Sequence, residues 1–156
     1  MHKYLTVFFI SMIPILELRF AVPIAVGMDL PYLPALAVCV LGNMLPVPFI
    51  YFFARKFLVW GSHKKHIHKL CKFFLEKGEK AGRRLVAATG RGGLFLALLL
   101  FVGIPIPGTG AWTGTLGASF VDLGFKKTVV SVTLGVVVAA VIMATVSRVG
   151  VHVFGI

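Results

Sequence analysis

One pattern in this chain is written twice. Ile13-Pro14-Ile15 is followed by Ala21, Gly27, Asp29-Leu30, a long apolar run and Arg55. Ile104-Pro105-Ile106 is followed by Ala111, Gly117, Asp122-Leu123, a long apolar run and Arg148. From Asp29 to Arg55 the first copy aligns without a gap onto Asp122 to Arg148, so Leu41-Gly42 falls on Leu134-Gly135. Matched punctuation is a stronger signal here than matched aliphatics, which recur by chance in apolar sequence. Duplicated hydrophobic units build many transporters, so the chain is a candidate to move something across a bilayer.

Composition restricts the setting. Of 156 residues, 58% are hydrophobic and only 13% charged, with mean hydropathy +0.96. A soluble domain is about a quarter charged, and this chain would expose too much apolar surface in water. It is expected to be one integral membrane domain over residues 1–156. The net charge of +11 does not indicate nucleic acid, because eleven of the sixteen Lys and Arg lie between Arg55 and Arg91. Basic residues gathered in one loop between apolar segments follow the positive-inside rule, which makes the 55–91 segment cytoplasmic in a multi-pass plasma-membrane protein. Cys39 and Cys71 are too few for a disulfide framework. The N-terminal apolar run resembles a signal peptide, but Glu17 and Arg19 interrupt it and the copy at 104–117 makes it part of the mature unit.

Four apolar stretches stand out, at 4–27, 31–54, 93–121 and 128–147. A bilayer core of about 30 Å needs about 20 helical residues. The 31–54 and 128–147 stretches meet that length without a charge, and Pro46 and Pro48 predict a kink in the first. The other two are broken. Pro14 and Pro23 flank Glu17 and Arg19 in one, and Pro105, Pro107 and Gly108 lead into Thr109-Gly110 in the other. Each reads as half-helix, loop, half-helix. A re-entrant hairpin gives one crossing per repeat and inverted repeats. A discontinuous crossing gives two, and parallel repeats. Lys126-Lys127 favour hairpins, because that topology places them on the cytoplasmic side. The expected fold is therefore all-α: two repeats, 4–56 and 91–150, each a re-entrant helical hairpin plus a spanning helix.

Between them, 61–90 reads as a basic amphipathic linker. Ile67, Leu70, Cys71, Phe74, Ala81 and Leu85 recur at helical spacing, with Lys64, Lys65, Lys69, Lys72, Arg83 and Arg84 among the residues of the basic face. An interfacial helix on anionic lipid headgroups is expected, loosened at Gly78 and Gly82. The spacing of His63, His66 and His68 does not make a metal site in so lysine-rich a run, and neither a metal nor a cofactor is expected.

Charges inside membrane segments are costly and so informative. Of five acids, Glu76 and Glu79 sit in the basic helix, and Asp29 and Asp122 occupy matched positions suited to a cap or turn. Glu17 lies in the first break with Arg19 two residues on. The two could pair in a non-helical loop, forming a structural ion pair, or reach across to the other break, and Glu17 could titrate beside a substrate-binding cation. The second break offers Thr109, Thr113, Trp112 and the amides around Gly110 at a helix N-terminus, which suits an anion. Asn43, Ser131, Thr133 and Thr145 suit interhelical hydrogen bonds.

The stretch from Ile13 to Gly27 (IPILELRFAVPIAVG) resembles the first signature of the putative small multi-drug export protein family. Gly103 to Gly114 (GIPIPGTGAWTG) resembles its second. The resemblance covers essentially the whole chain. It implies kinship with the DedA and VTT membrane proteins, and their architecture of two facing re-entrant hairpins. It also implies a role in moving lipids or lipid-linked phosphate, with proton coupling as one option. DedA proteins carry Pro-Gly-Glu in one hairpin, whereas here Pro107-Gly108 precedes Thr109 and the acid is in the other.

The leading expectation is a small transporter or lipid translocase, not an enzyme, with Glu17, Arg19, Thr109, Gly110, Trp112 and Thr113 around an amphiphilic or lipid-phosphate substrate. A cationic-drug exporter and a non-transporting organiser of lipids or of a partner are the alternatives. So short a chain is expected to act as a homodimer.

Overall fold

The two charge-free runs form the two long helices. The computed structural model describes residues 2–64, 66–90, 92–106 and 108–154, with side chains as far as residue 150. The first long helix, Tyr32–Ser62, runs as α3 (Tyr32–Met44), α4 (Val47–Phe49), a π-helical turn (Ile50–Ala54) and α5 (Arg55–Ser62). Pro46 and Pro48 lack the donors that an i→i−4 ladder needs, and the ladder re-forms beyond them with wider π spacing. The second is α9 (Phe125–Phe154). Both are long and apolar enough to cross a bilayer, and with the composition they make this a membrane protein. No strand occurs among the described residues.

These helices run antiparallel. The Phe125 ring meets Tyr51 at 5.5 Å and Phe52 at 4.7 Å, Thr133 Oγ1 lies 3.8 Å from Met44 Sδ, and the Arg148 guanidinium lies 4.2 Å above the Tyr32 ring. Positions rise along α9 as they fall along α3–α5.

The two broken stretches form pairs of short helices. α1 (His2–Met12) and α2 (Glu17–Gly27) are joined by residues 13–16. Each has 11 residues, about 16 Å. Lys3 Nζ nevertheless donates to the Met28 carbonyl at 2.8 Å, so α2 folds back along α1. α7 (Leu94–Gly103) and α8 (Ala111–Phe120) flank the second break. A Cβ on Gly114 of α8 would lie 2.8 Å from Val102 and 3.1 Å from Leu98, so α7 and α8 also close on each other beside the break. Pro14 lies in the first break, whereas Pro23 does not break the chain. It sits inside α2, which continues through it to Gly27 at the cost of the hydrogen bond that Arg19 O would accept. Pro105 and Gly108 lie in the second break. Pro107 falls outside the described residues, as do Lys65 and Arg91.

The sequence-matched glycines do the same work. A Cβ on Gly42 would meet Ser11 Oγ at 2.1 Å and Phe8 O at 2.6 Å, and one on Gly135 would meet Leu99 O and Val102 Cβ, both at 2.8 Å. Phe8 and Ser11 precede Pro14 by the same intervals as Leu99 and Val102 precede Pro105. Each long helix thus admits the end of its own first half-helix near its middle. Asp29 and Asp122 are matched as well, with φ of 54° and 51°. Each is the left-handed residue that ends a helix, followed by a reverse bond from Leu30 N to Ala25 O (3.1 Å) or Leu123 N to Ala118 O (3.3 Å), as in a Schellman cap.

The linker helix differs from a helix lying apart on the surface. α6 (His68–Thr89) follows α5 and packs along α8. A Cβ on Gly78 would lie 2.5 Å from Leu116, and one on Gly82 would lie 3.0 Å from Gly117 O. Those glycines do not loosen the helix. They are buried, and they let α8 approach. Lys64, Lys69, Lys72, Arg83 and Arg84 are exposed.

Mid-helix polar groups depart in part from the interhelical pattern. Ser131 Oγ does donate across to Phe95 O at 2.6 Å, and Thr133 Oγ1 has Met44 Sδ across from it as well as Val129 O of its own helix, but Thr145 donates to its own helix at Val141 O. The hydroxyl returns to the carbonyl one turn back, a local bond that competes with any neighbour. Asn43 Oδ1 is buried without a hydrogen-bond partner among the described residues.

Candidate functional site: the joint between the two breaks

A broken helix exposes amides at one end and carbonyls at the other, and in lipid each must find a partner inside the protein. Here the partners come from the opposite break. Glu17 opens α2 with φ 50°, a left-handed conformation costly for a residue that is not glycine. Its side chain is only 5% exposed, and Oε1 accepts the Trp112 amide at 3.2 Å. The carboxylate therefore caps the positive end of α8. Gly110, with φ 151°, makes the space: a Cβ there would lie 1.9 Å from Glu17 Oε2.

The other helix ends close in the same way. Trp112 Nε1 donates to the carbonyl of Met12, the last residue of α1, at 3.0 Å. Arg19, one half-turn into α2, reaches the C-terminal end of α7. Its Nη1 donates to Ile106 O, and its Nη2 to Thr109 Oγ1 at 2.6 Å and to Ile104 O at 3.4 Å. The Thr109 hydroxyl has Ile106 O at 2.8 Å and Ile104 O at 3.1 Å as acceptors. An acid meets a helix N-terminus and a base meets a C-terminus, each with the favourable sign. Among the described residues Glu17 and Arg19 form no ion pair with each other.

The joint lies level with the middle of the long helices. Ser11, beside the first break, touches Gly42, and Gly103, beside the second, has Val138 within contact of a Cβ at 3.3 Å. Next to it is a cleft of about 620 Å³, lined by Glu17, Arg19, Lys77, Gly108, Thr109 and Thr113 together with apolar Pro14, Ile15, Phe20 and Met143.

Of the residues singled out from sequence, Glu17, Arg19, Thr109 and Thr113 reach this cleft. Gly110 and Trp112 form the joint behind it, and the anion that the α8 N-terminus attracts is the chain's own carboxylate. Lys77 was missed. It was lost in a run of surface lysines, yet its spacing was informative, three residues after Phe74 and four before Ala81, on the packed side of α6. Among the described residues no group of three or more His, Cys, Asp or Glu is placed to hold a metal.

These features define a small all-helical membrane protein whose two broken helices are closed on one another by side chains from the opposite break. Residues 17–142 match the family described as "Putative small multi-drug export protein". That match covers most of the chain, and the protein belongs to this family, whose name denotes an export-type membrane protein rather than a classical enzyme. Comparison with curated proteins and with solved structures gave no match.

Proposed function

We propose that this protein is a small transporter that moves an amphiphile across the plasma membrane through the cleft between its two breaks. The observation that carries this reading is the joint itself. Two unlike breaks, one charged and one glycine-rich, meet at the mid-height of two antiparallel long helices beside a cleft of about 620 Å³. Midplane sites at discontinuous helices, between halves of opposite orientation, are how many secondary transporters hold their cargo. The antiparallel long helices, the matched Gly42 and Gly135 contacts and the matched Asp29 and Asp122 caps support inverted repeats. On that reading the α1–α2 and α7–α8 pairs are re-entrant hairpins entering from opposite faces, and the basic 55–91 segment is cytoplasmic.

In this mechanism Arg19 and Glu17 hold the halves together, and rearrangement of their bonds opens the cleft to one face or the other. Protonation of Glu17 would remove the charge that caps α8 and loosen the joint, which supplies a route to proton coupling. A cationic drug is the weaker cargo, because the one carboxylate in the cleft is already engaged with α8 and almost wholly buried. A lipid or lipid-phosphate substrate fits a cleft that is apolar for most of its lining. A second copy of the chain and membrane lipids are the proposed partners at the apolar surfaces that the long helices expose.

The test is flux. Purified protein in vesicles should move a fluorescent amphiphile between leaflets or across the bilayer, and Gly110→Ala, which drives a methyl group into Glu17, should abolish that movement. Flux unaffected by Gly110→Ala would remove the joint from the mechanism. No movement of any amphiphile would leave the protein a non-transporting organiser of lipid.

A further inference from the structure

We infer that Lys77 makes this cleft selective for amphiphiles with an anionic head, such as a sulfate, phosphate or carboxylate carried on an apolar tail. The inference rests on the cleft being the substrate site, as proposed above, and adds the chemistry of what enters it. Three ionisable side chains line the cleft: Glu17, Arg19 and Lys77. The first two are spent on helix ends. Glu17 accepts from α8, and Arg19 has three oxygen acceptors in the break that follows α7. Lys77 makes no salt bridge among the described residues. Its Nζ lies 5.4 Å from the Phe73 ring centroid and about where it would face an occupant, 3.8 Å from the position of a Cβ on Gly108.

Geometry explains how a lysine from the linker comes to be there. α6 is held tightly to α8 through Gly78 and Gly82, and Lys77 precedes Gly78 on the same packed face. It is half-buried, unlike Lys69, Lys72 and Lys80, which are exposed. A lysine ammonium is a compact point charge with three donors. Set in a pocket walled by Pro14, Ile15, Phe20 and Met143, it offers a head-group site with an apolar trough beside it. The cleft then carries one negative and two positive side chains, so an anionic head is favoured and a cationic one repelled. The positive charge is also adjustable, because Gly108 has no side chain to fill the space next to Nζ.

Binding by the full chain in an uncharged detergent tests this. The probes are decyl sulfate and decyltrimethylammonium, which share a tail and differ in head charge. The readout is the fluorescence of Trp112 in a Trp60→Phe background. Decyl sulfate should bind about tenfold more tightly, the scale of one charge-assisted hydrogen bond. Lys77→Met should erase that preference, Lys77→Arg should keep it, and Lys77→Glu should reverse it, with unfolding temperatures recorded to show that each variant is folded. Phosphatidylglycerol and free inorganic phosphate serve as competitors. Displacement by the lipid identifies a lipid head as the source, displacement by phosphate alone identifies a soluble anion and overturns the need for a tail, and displacement by neither leaves a small amphiphile. Preference for decyl sulfate that survives in Lys77→Met overturns the assignment of Lys77 while leaving the cleft as the site. Failure of both probes to bind the wild-type chain overturns the cleft itself.

Discussion

Glu17 closes the start of α8 from far away in the chain: its Oε1 accepts the Trp112 amide at 3.2 Å across 95 residues of sequence. Trp112 returns the contact, its indole donating to Met12 O at the end of α1. Neither break is therefore self-sufficient. The first supplies the cap for a helix of the second, and the second supplies the donor for a helix of the first. Glu17→Ala should destabilise the protein by about 1–3 kcal/mol, the penalty for a buried amide left unpaired. Glu17→Gln, which keeps an acceptor but not the charge, should cost less. Gly110→Ala should cost a similar amount through its overlap with Oε2, and the two costs should not add. In a Glu17→Ala background most of the Gly110→Ala penalty should vanish, leaving the part owed to the backbone at φ 151°. Thermal unfolding in detergent gives the four corners of this cycle, and additive penalties would mean that the two residues do not compete for one space.

Arg19 should not be replaceable by lysine. Its guanidinium spreads over Thr109 Oγ1 and the carbonyls of Ile104 and Ile106, a fan that a single ammonium cannot cover. Arg19→Lys should lose about 1–2 kcal/mol, the worth of one or two such bonds. Thr109→Val should lose a smaller amount, because it removes one acceptor from Arg19 while the carbonyls remain. An Arg19→Lys protein that melts like the wild type would show that the carbonyls at the end of α7 are satisfied without the fan.

How much of this was written in the sequence depends on range. The breaks were legible because Pro14 and Pro105 act on their own turns. The Asp29 and Asp122 caps were legible because they recur at matched positions beside leucine. Glu17 and Arg19 were visible as charges inside an apolar stretch, but whether they pair with each other or cross to the second break was open, since that choice depends on a contact spanning most of the chain. Pro23 misled, because a proline in mid-sequence signals interruption and the packing of α2 overrides it. Gly78 and Gly82 misled for a related reason. Helix propensity counts glycine as a weakness, whereas here the missing side chains are what α8 requires. Lys77 was hidden by its neighbours, since a functional lysine and a solvated one look alike in a basic run until the partner of that helix is known.

The matched glycines make a prediction about packing. Gly42→Ala and Gly135→Ala should each destabilise by about 1–3 kcal/mol, the usual cost of overpacking a close contact. In each the new methyl meets a backbone oxygen, Phe8 O at 2.6 Å or Leu99 O at 2.8 Å, which cannot rotate away. Gly27→Ala is the control, with nothing within 4 Å of its Cβ, and should stay within about 0.5 kcal/mol of wild type. Equal melting temperatures for all three variants would mean that α1 and α7 are free to shift along the long helices.

The last prediction concerns sidedness. Lys127 sits at the start of α9, next to the end where Phe125 packs on Tyr51 and Phe52 and Arg55 lies 4.7 Å from the Phe120 ring centroid. His2 begins α1 beside Lys3, which is tied to Met28 near the end where Arg148 covers Tyr32. If the long helices span the bilayer as an antiparallel pair, these two ends lie on opposite faces. His2→Cys and Lys127→Cys should then react with a membrane-impermeant maleimide from opposite sides of sealed vesicles, with position 127 on the cytoplasmic side. The native Cys39 and Cys71 are both buried, so background labelling should be low. Labelling of both new cysteines from one side would rule out a spanning antiparallel pair, and labelling of position 127 from the outer side would rule out inverted repeats in favour of discontinuous crossings and parallel repeats.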